Sequence, residues 1–175
     1  SNTGNAVDPL IPDFIEDLDV ALNEAYRNLL EVENSKGKLF SPLEVPIDVL
    51  VTDCGDDAGE SPLGGPMKIS SSKIENYEDM RGVAAYELVH VFQGQYFTSG
   101  KLGNVVNFIY RDNRWFIEAT ANYYAAKAMG FGDDEKRKFY TKDGDFEYLS
   151  VSLKTPSDNS MYTAAHFLDW IGETY

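Results

Sequence analysis

The run Gly82-Val83-Ala84-Ala85-Tyr86-Glu87-Leu88-Val89-His90-Val91-Phe92 decides how this chain folds. Val83, Ala84, Leu88, Val91 and Phe92 cover one broad side of a helix, and Ala85 and Val89 extend that side. A helix apolar over so much of its circumference is buried, so residues 78–97 are expected as the central helix. Gly94, Gly100 and Gly103 are expected to end it. At about 100° per residue, Tyr86, Glu87 and His90 fall within an arc of roughly 100°. Ionisable groups on a buried helix must face a cleft or a partner, because unpaired buried charge is costly.

A glutamate followed three residues later by a histidine is the last part of the metal-binding pattern H-E-x-x-H. Here Tyr86 stands where the first histidine would be. A second helix is expected over 113–129, closed by Gly130 as its C-terminal stop. It carries Glu118 amid Trp115, Phe116, Ile117 and Ala119, which argues against a plain surface carboxylate. Asn122 lies one turn further on the same face.

Working outward, residues 12–32 read as an amphipathic helix through Phe14, Leu18, Ala21, Leu22, Ala25 and Leu29. Asp13, Glu16 and Asp17 favour the positive end of its dipole. Residues 35–41 are expected as a connection with Gly37 as a helix stop. Residues 45–51 read as a strand and Met67–Ser70 as a second strand at a sheet edge, joined by a long Gly- and Pro-rich loop. Asp53, Asp56, Asp57 and Glu60 lack EF-hand spacing and are read as a polar turn. Residues 130–159 are expected as irregular or strand-like, with a short run at 146–153, and a final helix at 160–171.

The 175 residues suit one domain, expected over 11–175, with 1–10 as a linker or vector-derived remnant. A last helix without a clear cap suggests a cut from a longer protein. Net charge is −14, with 14 acidic against 3 basic residues in the first 60. Such a surface repels nucleic acid and anionic lipid. No apolar run approaches the ~20 residues that cross a bilayer, so no membrane insertion is expected. The single cysteine, Cys54, allows no intrachain disulfide and is read as a core or strand-end residue.

YELVHVFQ followed by RWFIEATANYY resembles the gluzincin metallopeptidases, the thermolysin-like clan. The resemblance covers roughly residues 40–172 and includes the tail YLSVSL…MYTAAHFLDWI. It implies an α+β, zincin-like fold: a small mixed or antiparallel sheet packed on an active-site helix, then a glutamate-bearing helix and further helices. It implies that Glu87 matches the general base, that His90 and Glu118 match two zinc ligands, and that Tyr86 replaces the first ligand. Asn122 stands at the position where thermolysin-like members carry an aspartate that orients the first histidine. Tyr162 or His166 matches a carbonyl-polarising position, although a histidine among apolar neighbours also reads as packed and hydrogen-bonded. An extracellular or cell-surface location and a further domain beside the cleft are likewise implied.

Four readings stay open at this level: chance, a domain that has lost zinc and catalysis, a working enzyme with an unusual ligand set, and an active parent carrying an introduced Tyr86. The second is preferred. Tyrosine's ordinary pKa of about 10 makes its phenolate a costly ligand at neutral pH. The expected outcome is an aromatic plug bonded to Glu118, Glu87 or His90, with no zinc bound. A peptide or protein would then be held in the retained cleft, with an edge strand available for β-addition. In the alternative, Glu87 is the base of a zinc-dependent peptidase.

Overall fold

A computed structural model describes residues 11–34, 37–44, 46–62, 65–98, 114–140, 164–169 and 171. Helix α1 spans Ile11–Glu31. Leu18, Ala21, Ala25 and Leu29, spaced by three and four, are buried on one side of it. A hairpin follows, β1 Glu33–Asn34 against β2 Gly37–Lys38. Gly37 does not stop the helix as expected: at φ 114° it opens β2, a conformation that favours glycine.

Of the stretch 45–51, the described residues 46–51 contribute a short strand, β3 Val49–Val51. The Gly- and Pro-rich stretch after it is not all loop, because Gly59–Glu60 forms β4. Then comes β5, Met67–Ile69. Among the described residues the order is β3-β5-β4, with β5 parallel to β3 and antiparallel to β4. The segment expected at the edge is therefore the central strand. Met67 and Ile69 are fully buried in the core, which suits a strand covered on its helix-facing side.

Helix α2, Tyr77–Thr98, starts at a reciprocal cap. The Asp79 amide donates to Asn76 Oδ1 at 3.0 Å, and Asn76 Nδ2 donates to the Asp79 carboxylate at 2.8 Å. Gly94 lies inside this helix rather than ending it. Met80, Ala84, Ala85, Leu88, Val89 and Phe92 are buried against α1 and the sheet. Phe92 stacks on Tyr26 at 5.8 Å and meets Phe40 at 5.0 Å. Arg81 ties α2 to α1, donating to both Glu24 carboxylate oxygens at 3.1 and 2.8 Å.

Helix α3, Arg114–Met129, ends as its sequence signals. Gly130 adopts φ 66°, its amide bonds to the Lys127 carbonyl, and the Phe131 amide bonds to that of Ala126. This is a Schellman stop, with glycine at the left-handed position. Residues 133–140, expected as irregular or strand-like, form helix α4, Asp133–Tyr140. Its apolar content is too sparse to show a helical period, and its signal is electrostatic: three carboxylates in the first turn. Glu135 also accepts the Gly132 amide at 2.7 Å. Residues 164–169 are helical, and Ala165 packs on Ala126 of α3. The run at 146–153 and Tyr162 lie outside the described residues.

The chain is thus mixed α+β, with helices dominating and a small mixed sheet beside α2. Among the described residues no helix is long and apolar enough to cross a membrane.

Candidate functional site

Three walls meet in a cleft of about 560 Å³. Helix α2 supplies Tyr86, Glu87 and His90, α3 supplies Glu118 and Asn122, and residues 57–62 around β4 form the third wall. The helical spacing of 86, 87 and 90, and of 118 and 122, thus aims all five side chains at one space. Glu87, His90, Glu118 and Asn122 are only 2%, 9%, 8% and 3% exposed. A helix pair that buries four polar side chains over a cleft must satisfy them locally or leave them for a ligand.

Tyr86 donates its hydroxyl to Glu118 Oε2, and His90 Nε2 lies 3.3 Å from the same oxygen. The rings of Tyr86 and His90 meet edge to face at 4.6 Å. The other side of His90 is set by Gln93. Gln93 Nε2 donates to the Ile117 carbonyl at 3.1 Å and to the Thr120 hydroxyl at 3.0 Å. Its Oε1 is therefore the acceptor for His90 Nδ1 at 2.8 Å. With the Nδ1 proton fixed there, the approach of Nε2 to Glu118 is a bond only if a proton lies between them. Burial alone would lower the His90 pKa, but the Glu118 bond and the Glu118 and Glu87 charges outweigh it, and the net direction is up.

Glu87 behaves differently from its neighbours. Its Oε2 has no hydrogen-bond partner among the described residues. Burial pushes its pKa from 4.5 up to about 7, with His90 and Ser61 opposing and Glu118 and Asp57 adding to the rise. Gly59 of β4 lies directly over it: a Cβ at that position would sit 2.6 Å from Glu87 Oε1 and 2.7 Å from its Cγ. Only a glycine lets the strand approach the carboxyl so closely. Asn122 Nδ2 also lacks a partner among the described residues.

The sequence therefore singled out five side chains that do converge, Tyr86, Glu87, His90, Glu118 and Asn122. His166 is half-buried on the 164–169 helix and is not among the residues that line the cleft. Sequence reasoning missed Gln93, whose i+3 spacing from His90 was a usable signal. It also missed Gly59 and Asp57, which only the sheet brings over α2. Asp53, read as part of a polar turn, accepts the Gly55 amide at 2.9 Å within that turn. Cys54 is half-buried, and burial with the nearby Glu60 and Glu87 raises its thiol pKa, against Lys68, as suits an unreactive side chain.

Catalytic zinc takes three protein donors and leaves one position open. His90 and Glu118 would provide two, but the Tyr86 hydroxyl is committed to Glu118. Among the described residues no group of three or more His, Cys, Asp or Glu side chains is arranged to hold a metal. The donors among the described residues do not by themselves make up a three-ligand zinc site. Comparison with protein-family models, curated proteins and solved structures finds no match for this chain.

Proposed function

We propose that this chain is a metallopeptidase-like domain of the gluzincin type that has lost zinc binding and hydrolysis and holds a peptide or protein segment in the retained cleft. The observation that carries this reading is the Tyr86–Glu118 hydrogen bond. Two side chains that would serve a metal, Glu118 and His90, are bonded instead to a tyrosine and to each other. A tyrosine hydroxyl that satisfies a buried carboxylate stabilises this arrangement, whereas freeing Glu118 for a metal would break both bonds. Strand β4, rather than the segment at 67–70, offers the edge for β-addition. Its Gly59 lies over the cleft, and its second side bears no strand among the described residues.

The decisive experiment is metal analysis of the purified chain beside a Tyr86→His variant. The expected result is no zinc in the parent and about one zinc per chain in the variant. Stoichiometric zinc in the parent, with peptide cleavage that chelator and Glu87→Gln both abolish, would defeat the proposal. One observation favours that second reading, a working hydrolase. Glu87, buried in a cleft with a pKa near 7, has the proton affinity of a general base at neutral pH.

A further inference from the structure

We infer that the cleft selects a cationic side chain, that of a lysine or arginine in an extended peptide. This deepens the cleft-binding reading above and rests on it. Four of the lining residues are acidic, Asp57, Glu60, Glu87 and Glu118, and no lysine or arginine lines the cleft among the described residues. Glu118 faces His90, and Glu60 pairs with Lys68 at 2.9 Å. Glu87 is opposed only by the His90 charge and by Ser61. Its buried Oε2 has no hydrogen-bond partner among the described residues, nor has Asn122 Nδ2, and both residues line the cleft.

An orphaned acceptor and an orphaned donor in one cleft ask for a ligand that brings both kinds of group. An ammonium or guanidinium satisfies the carboxylate, and a peptide carbonyl satisfies the amide. The walls between them include Val83, Ile117 and Phe139, which suit the alkyl stem of a long basic side chain. A bare divalent cation is the poorer fit, because the described residues contain no group of three or more His, Cys, Asp or Glu side chains placed to hold a metal. The net charge of −14 favours the approach of a cation from solution.

The test compares three capped pentapeptides of alanine with lysine, norleucine or glutamate at the centre. Binding to the purified chain is read by calorimetry and by backbone amide shifts at residues 57–61 and 122. The lysine peptide is expected to bind about tenfold or more tighter than norleucine, its uncharged analogue of similar shape, and the glutamate peptide weakest. In Glu87→Gln the lysine-over-norleucine advantage should fall to about twofold or less. Equal binding of lysine and norleucine at the cleft would overturn the inference and leave the cleft-binding reading standing. No shift at the cleft with any peptide would overturn both. A lysine advantage that survives Glu87→Gln, with shifts elsewhere, would be attraction to the acidic surface at large and would also overturn the inference.

Discussion

Replacing Glu87 by glutamine should make the protein more stable, and by an amount that grows with pH. The carboxyl is buried under Gly59, its Oε2 has no donor among the described residues, and its pKa rises from 4.5 to about 7. A group whose folded pKa lies above its unfolded value favours folding only while it is protonated. Its contribution is complete below pH 4.5 and is lost as pH rises through 7. Ionising it inside the fold therefore costs about 3 kcal/mol at pH 8, taking roughly 1.4 kcal/mol per pH unit of displacement. Glutamine keeps the shape and carries no charge. Urea unfolding of both proteins between pH 4.5 and 8.5 checks this, since every other titrating group is common to the pair. The curves should nearly coincide at pH 4.5 and separate by about 2–4 kcal/mol at pH 8. Parallel curves, or a separation that shrinks with pH, would refute a desolvated Glu87.

Three further outcomes are expected. Gly59→Ala places a methyl within 3 Å of Glu87 Oε1, Cγ and Cδ, and should cost about 1–3 kcal/mol. Most of that should be recovered in a Gly59→Ala/Glu87→Ala double variant, as a double-mutant cycle on urea midpoints would show. Arg81→Met breaks the forked pair with Glu24 between α1 and α2, where the Arg81 side chain is only 18% exposed, and should cost about 1–3 kcal/mol. The pairing with Glu78 at the surface adds little to that figure. Tyr86→Phe removes one of the bonds to the buried Glu118 carboxylate and should cost about 1–3 kcal/mol in the same assay, without conferring zinc binding.

Helices α1, α2 and α3 were legible because their signals are local. An apolar face at three- and four-residue spacing, carboxylates near an N-terminus and a glycine after the last turn are properties of contiguous sequence. The same holds for the convergence of 86, 87 and 90, which helical geometry places on one arc, and of 118 with 122. Helix α4 was not legible, because Asp133–Lys138 contains no apolar residue to mark a period and only the acidic first turn points to a helix. Gly94 misled in the opposite direction. A glycine weakens a helix by only about 1 kcal/mol, and the burial of Leu88, Val89 and Phe92 outweighs that cost.

What the sequence by itself determined is therefore the pair of site helices, the five polar side chains they aim at one space, and a net charge of −14. Tertiary structure decided the rest. It placed β5 in the middle of the sheet and β4 at its edge, because strand partners are chosen by register and burial across distant segments. It laid Gly59 on Glu87 and so made that carboxyl a desolvated one. It also chose Glu118 as the acceptor for Tyr86 and bent His90 to the same oxygen. Hydrogen bonds between different helices depend on how the helices cross, which no local pattern in the chain encodes.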